Sequence, residues 1–211
     1  MIRKRVLVRR TVSAVAAGTA ALALAACGGD GGGPSGHGGH ETSASSPASP
    51  SASAPHGRHN AADVAFAKGM IPHHRQAVEM AGLAPARAGS AEVRKLAADI
   101  GKAQGPEIGT LSGWLTSWGE EVPAEGAVDH SAHGTGDMMT DEEMRELGSA
   151  SGKAFDTAFM EMMIRHHEGA VEMAKAERAG GAYSPAIRMA GEIITSQSAE
   201  IERMDKLLGA G

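Results

Sequence analysis

The sequence predicts an all-α protein, a four-helix bundle built from two duplicated helical hairpins. "MIPHHRQAVEMA" at 70–81 and "MIRHHEGAVEMA" at 163–174 are identical at nine of twelve positions, with a constant offset of 93 residues. In both stretches the apolar residues recur at the spacing of an amphipathic helix. One hairpin leaves its apolar stripe exposed, whereas two hairpins packed about a pseudo-twofold axis bury both stripes. The repeat therefore predicts a bundle.

Residues 1–26 have the pattern of a bacterial export signal. A basic stretch, "MIRKRVLVRR", precedes an apolar run that is short for a membrane span, and this run ends in "LAAC" at 24–27. Small residues before Cys27 and glycines after it are typical of a lipoprotein signal. We therefore predict that Cys27 is lipidated and anchors the exported chain to the outer face of the cytoplasmic membrane. The alternative is an ordinary signal peptide in which the cysteine is incidental.

The charge of the chain argues against nucleic acid as a partner. The whole chain has 20 basic and 25 acidic residues, and removal of residues 1–26 takes away five basic residues, so the mature charge is 15 − 25 = −10. Cys27 is the only cysteine. If it is lipidated, no thiol remains for disulfides, thiolate catalysis or thiolate metal binding.

Residues 27–61 are predicted to be a flexible tether, because Gly, Ser, Pro, Ala and His cannot bury enough apolar surface to fold. Four histidines lie in it, in "HGGH" and "HGRH", and the segment "HSAHGTGDMM" follows later at 130–139. These stretches are either polar filler or loose capture sites for metal ions.

Residues 62–211 form the predicted bundle, with repeat one at 62–118, a loop at 119–139 and repeat two at 140–209. The signals that delimit its helices are the N-cap Ser90, the capping box that starts at Thr140, the stop at Gly180-Gly181, and the N-cap Ser184 followed by Pro185. The predicted helices run over about 62–83, 91–118, a short stretch after Thr140, 151–178 and 185–208.

Each histidine pair is predicted to face the bundle interior. At 100° per residue with Met163 as the origin, His166 falls at about 300° and His167 at about 40°, on either side of the inward direction. The first repeat has the same arrangement. The candidate metal ligands are therefore Met70, His73, His74, Met163, His166 and His167.

Carboxylates and amides are also predicted on apolar faces. Gln197 and Glu200 lie among aliphatic residues of the last helix, and Gln104 and Glu107 repeat this pattern in the second helix. A buried carboxylate is unfavourable unless it is paired, and the histidines are the available partners. The predicted additional ligands or supporting residues are Gln104, Glu107, Gln197, Glu200, Asp63 and Asp156.

Three interpretations remain open. The first is a metal-free network, in which Glu107 and Glu200 accept hydrogen bonds from histidines and specify the packing. The second is a transition-metal site. Methionine at the first position of Met-x-x-His, where di-metal bundles carry glutamate, favours copper(I). The third is a metal oxidase that uses Asp63 and Asp156 as carboxylate ligands; the inward glutamates that such centres need are missing, so an enzyme is not favoured.

At "FAKGMIPHHRQAVEMA" and "FDTAFMEMMIRHHEGAVEMA" the chain resembles a secreted bacterial family, domain of unknown function 305, which has a ferritin-like bundle. The similarity covers 62–209 and includes the Gln-x-x-Glu-Ile stretches that begin at Gln104 and Gln197. Some members are associated with copper binding outside the cytoplasm. The resemblance therefore implies copper sequestration or transfer through Met70, His73, His74 and their repeat-two equivalents.

Overall fold

The structure is a computed structural model that describes residues 57–125 and 138–209. The predicted signal peptide at 1–26, the lipidation site Cys27, most of the predicted tether and the loop histidines His130 and His133 lie outside the described residues.

The described residues form five helices and no named strand, so the prediction of an all-α bundle is confirmed. Four long helices build the bundle, and a short one, α3, precedes the second hairpin. The helices are α1 (Ala61–Arg87), α2 (Ala91–Trp118), α3 (Asp141–Ser149), α4 (Gly152–Gly180) and α5 (Ser184–Gly209). Within the described parts of the chain, no helix is both long and apolar enough to cross a membrane.

The helix ends follow the predicted capping signals in most places. Ser90 accepts a hydrogen bond from the Val93 N–H, and Thr140 forms a complete capping box with Glu143. Other ends differ from the prediction by one to four residues. Helix α1 continues through Pro85 to Arg87, one turn past the predicted end at 83. Helix α5 already includes Ser184, because the carbonyl of Tyr183 accepts the first hydrogen bonds of the helix.

Helices α1 and α4 form the centre of the bundle, with α2 packed on α1 and α5 packed on α4. Phe66 near the start of α1 shares a cluster with Ala174 near the end of α4, and Ala84 near the end of α1 shares a second cluster with Phe155 near the start of α4. The two central helices are therefore antiparallel, as a pseudo-twofold axis between two equivalent hairpins requires.

The apolar core is divided into two clusters, which we call cluster A and cluster B. Cluster A contains the C-terminal half of α1, the N-terminal halves of α2 and α4, Met139, Leu147 and Met204. Cluster B contains the N-terminal half of α1, Leu111 and Leu115 of α2, Ala170 and Ala174 of α4, and the N-terminal half of α5. Buried polar residues lie between the two clusters, and we call them the polar layer: His73, His74, Gln104, His166, His167 and Gln197.

Two equivalent aspartates hold each hairpin to the turn of the other. Asp63 of α1 accepts hydrogen bonds from the N–H groups of Ala182 (3.1 Å) and Tyr183 (2.9 Å) in the α4–α5 connection. Asp156 of α4 accepts hydrogen bonds from Gly89 (2.9 Å) and Ser90 (2.8 Å) in the α1–α2 connection. This reciprocal docking sets the register of the two hairpins, and with it the level at which the histidine pairs meet.

Candidate metal centre

The four histidines of the duplicated motif meet at the middle of the bundle. His73 is 3% exposed, and His74, His166 and His167 are fully buried. The proline before His73 does not interrupt α1, and Arg165 takes its place in α4. Because each motif lies near the middle of a long central helix, antiparallel packing brings the two pairs to the same level.

His73 and His166 form an inner pair across the two hairpins. Their ring centroids are 3.7 Å apart and the ring planes make an angle of 41°, so the imidazoles are in van der Waals contact. Both nitrogens of both rings are buried, and none has a hydrogen-bond partner within the described residues. Burial lowers the pKa of both rings well below the usual value, and the neighbouring imidazoles lower the pKa further. Both rings are therefore neutral at neutral pH, and each has one nitrogen with a free lone pair.

His74 and His167 form two outer dyads, one in each hairpin. His74 Nε2 lies 2.7 Å from Glu107 Oε2, and His167 Nε2 lies 2.7 Å from Glu200 Oε2. The imidazoles are fully buried, whereas the glutamate side chains are 25% and 21% exposed. In each hairpin the carboxylate therefore stands at the solvent edge of the polar layer, with its histidine behind it.

The polar layer contains an unusual concentration of unpaired polar atoms. Six imidazole nitrogens have no hydrogen-bond partner in the described structure: both nitrogens of His73 and His166, and Nδ1 of His74 and His167. Both amide atoms of Gln104 and the Oε1 atom of Gln197 are also without a partner. Buried polar atoms are normally paired, because an unpaired one costs about 1–3 kcal/mol. A ligand bound at this level would pair several of them at once.

Met70 and Met163 flank this layer on either side. Each is fully buried and lies three residues, or just under one helical turn, before a histidine of the inner pair. Met163 belongs to cluster A and Met70 to cluster B. The layer thus has a thioether-bearing residue next to it in each hairpin.

The structure brings ten of the twelve candidate residues to the polar layer or its edge. The other two, Asp63 and Asp156, lie ten residues before the first histidine of their helix, about 15 Å away along the axis. Their oxygens are bound to backbone N–H groups of the hairpin turns. Both aspartates therefore stabilise the docking of the hairpins and lie outside the polar layer.

The imidazoles do not converge on one point in the arrangement observed. Among residues 57–125 and 138–209, no group of three or more His, Cys, Asp or Glu side chains is positioned to hold a metal ion. The centroids of the two inner rings are only 3.7 Å apart, so an ion held between these rings would require them to move apart.

Two features of the structure were not predicted from the sequence. Gln76 holds both backbone groups of Met139, donating to its carbonyl at 2.8 Å and accepting from its N–H at 2.7 Å. Arg165, next to His166, donates to Met139 Sδ and to Glu143. The chain between the hairpins is thus fastened beside both histidine pairs. These contacts follow no periodic pattern in the sequence, so helical spacing does not predict them.

The second missed feature is Glu177, which is buried in α4 beside Asp63. Helical periodicity could have found it: at 100° per residue it falls at about 320°, on the same side as the inward-facing histidines.

Comparison with known proteins places the whole bundle in a known family. The sequence profile of DUF305, a domain of unknown function, matches residues 63–208. A crystal structure of a protein from Streptomyces coelicolor, described as a secreted member of that family, has 36% identity and a TM-score of 0.65, covering 71% of this chain and 91% of that one. A fragment from Deinococcus radiodurans has 30% identity and a TM-score of 0.64, covering 72% and 98%.

A further similar structure is CopM in a Cu(I)-bound form, with 32% identity and a TM-score of 0.59, covering 70% of this chain and 96% of that one. CopM is also similar to this chain in its Cu(II)-bound and silver-bound forms. No curated protein sequence matches the chain.

Proposed function

The chain belongs to the DUF305 family, and we propose that it is an exported, lipid-anchored protein that binds copper in its polar layer for sequestration or transfer. The observation that carries this proposal is the set of six buried imidazole nitrogens without a hydrogen-bond partner. Each neutral imidazole has one lone-pair nitrogen, and a metal ion bound to that nitrogen would compensate for its missing hydrogen bond.

The chemistry of the layer favours a soft or borderline ion. Imidazole nitrogen suits copper and zinc, whereas the thioethers of Met70 and Met163 favour copper(I). The inner histidines are neutral at neutral pH because burial lowers their pKa, so no proton has to leave them before they bind. The structures of CopM with Cu(I), Cu(II) and silver support the same class of ion.

Two observations support the proposed location outside the cytoplasm, namely the N-terminal sequence and the similarity to a secreted protein. The signal pattern of residues 1–26 and the cysteine at 27 support export and lipidation. The relative from Streptomyces coelicolor, described as secreted, supports export. Outside the cytoplasm free thiols are prone to oxidation, so histidine and methionine are practical ligands for copper(I) there.

A metal-free role is the alternative, and the two outer dyads favour it. The hydrogen bonds between His74 and Glu107 and between His167 and Glu200 would hold the packing without an ion. In that case the protein is an interaction or scaffold module. The oxidase alternative has less support, because Asp63 and Asp156 are bound to the hairpin turns.

Copper titration separates these functions. We would purify residues 28–211 and titrate Cu(I) without oxygen, and Cu(II) separately, in competition with a chromophoric chelator. His73→Ala/His166→Ala is expected to lose the tightest site, because it removes four of the six unpaired nitrogens. Glu79→Ala, a change of an exposed residue of α1 outside the layer, is the control and should bind like the wild type. Unchanged stoichiometry and affinity in the double variant would refute binding in the layer.

A further inference from the structure

The two outer dyads have the same geometry, which makes them a repeated feature of the layer. In each, the histidine and glutamate are 33 residues apart in sequence and Nε2 is 2.7 Å from a carboxylate oxygen. Each dyad joins two helices of one hairpin, α1 to α2 and α4 to α5. Because the hairpins are duplicated, the same contact stands on both sides of the polar layer.

The hydrogen bond decides which nitrogen of each ring can bind a ligand. An ionised carboxylate has no proton to give, so Nε2 must carry the proton and donate it to the glutamate. In a neutral ring the other nitrogen, Nδ1, then holds the lone pair. In both rings Nδ1 is buried and without a hydrogen-bond partner in the described structure.

We infer that His74 and His167 coordinate the ion through Nδ1, and that Glu107 and Glu200 are the positioning residues that impose this binding mode. The inference rests on the proposed function and names the ligand atoms of the same site. Histidines that bind metal commonly donate their second ring N–H to a carboxylate, which fixes the ring orientation and makes the ligating nitrogen more basic.

Binding through Nε2 would require each dyad to break. In both rings Nε2 is already bonded to a carboxylate, and that carboxylate lies at the solvent edge of the layer. In both rings Nδ1 is buried and has no hydrogen-bond partner in the described structure. An ion held by Nε2 would leave a partly buried carboxylate without its donor. The Nδ1 mode keeps both hydrogen bonds and pairs both orphaned nitrogens.

Silver(I) is a suitable probe, because it is a soft, diamagnetic ion whose spin-half isotopes couple to a directly bonded nitrogen. We would label residues 28–211 with 15N-histidine, add Ag(I) and record the imidazole nitrogens by NMR, assigning the rings from single His→Ala variants. We expect silver coupling at Nδ1 of His74 and His167, with the Nε2 proton retained. Coupling at Nε2 of these rings would overturn the inference.

The glutamates are tested by two kinds of variant. Glu107→Ala/Glu200→Ala should weaken Ag(I) binding by about 10–100-fold, the usual effect of losing the carboxylate behind a metal-bound histidine. Glu107→Gln/Glu200→Gln can still accept the Nε2 proton, so it should keep the Nδ1 coupling and bind with intermediate affinity. Glu79→Ala and Glu192→Ala, changes of exposed residues on α1 and α5, are the matched controls and should leave affinity unchanged.

The outcomes distinguish the two proposals. Absence of silver coupling at every histidine of the layer would refute the proposed function and the inference together. Coupling at His73 and His166 with none at Nδ1 of the outer rings would refute the inference and leave the proposed function standing. Equal Ag(I) affinity of the wild type and Glu107→Ala/Glu200→Ala would show that the glutamates do not position the histidine rings for binding.

Discussion

Glu177 departs from the internal repeat. The equivalent residue in the first half is Ala84, which cannot ionise. The Glu177 side chain is 1% exposed. Burial is the largest cause, and together with the nearby charge of Asp63 it raises the pKa of Glu177 to about 8. Burial would also raise the pKa of Asp63, but the N–H groups of Tyr183 and Asn60, the Glu177 side chain and the Ala182 N–H together lower it. Glu177 therefore keeps its proton at neutral pH, whereas Asp63 is ionised.

This proton makes stability depend on pH. The native state keeps the Glu177 proton up to about pH 8, whereas the unfolded chain loses it near the usual pKa of 4.5. The native state binds more protons between these values, so the contribution of Glu177 is fully present below pH 4.5 and is lost as pH rises to 8. The slope from this residue is about 1.4 kcal/mol per pH unit. Glu177→Gln should remove it, measured by urea unfolding from pH 5 to 9.

Glu79→Gln, which changes an exposed glutamate, is the control for this experiment and should keep the slope of the wild type. The same slope in Glu177→Gln would show that Glu177 is ionised in the folded protein at neutral pH.

At the scale of helices and turns, the reciprocal aspartate contacts hold the hairpins in register. Asp156 accepts two backbone N–H groups of the α1–α2 turn, and Asp63 does the same in the α4–α5 turn. The turn at Gly89 is also close to α4, since a Cβ there would lie 2.8 Å from the carbonyl carbon of Gly152. This turn therefore has little freedom to find other partners for its N–H groups.

Asp156→Ala should destabilise the bundle by about 1–3 kcal/mol, because it leaves the Gly89 and Ser90 N–H groups without an acceptor. Asp156→Asn keeps one acceptor oxygen and should lose less. Thermal unfolding measures the effect on stability, and hydrogen exchange at Gly89 and Ser90 measures it locally. Asp205→Ala, a change of an exposed residue of α5, is the comparison. Unaltered exchange at these two amides in Asp156→Ala would contradict the docking role.

At the scale of the whole molecule, the two hairpins share a centre that is polar rather than apolar. Clusters A and B supply the burial that holds the bundle, and the polar layer lies between them where α1 and α4 meet. An ion held there by His73 and His166 would join the two hairpins directly. Binding and bundle assembly would then be coupled, because the ligands come from both halves.

The chain is also expected to be held at a membrane through Cys27. The proposed lipid on Cys27 would contribute about 0.8 kcal/mol for each buried CH₂ group. Cys27→Ser should therefore move the exported protein from the membrane fraction to the soluble fraction, as measured by cell fractionation and immunoblotting. Arg58→Ser, which changes a tether residue and keeps the cysteine, should stay with the membrane. Membrane retention of the Cys27 variant would mean that another feature anchors the chain.

The sequence by itself determined the helices, several of their caps, the duplication and the inward direction of both histidine pairs. These are local properties: periodicity fixes the face on which a residue such as His166 lies, and a capping box at Thr140 needs only neighbouring residues. For the same reason Glu177 was detectable in principle. The family resemblance also followed from the sequence, since each of the paired motifs is a contiguous stretch of residues that can be recognised directly.

Only the tertiary structure decided what lies opposite each of these faces. The contact of His73 with His166 joins residues 93 positions apart, and the outer dyads join residues 33 positions apart. Asp63 and Asp156 face inward by periodicity, yet they bind turns of the other hairpin instead of the histidines. Helical spacing gives a direction around one axis, but it carries no information about the register between helices, and that register determines which side chains meet.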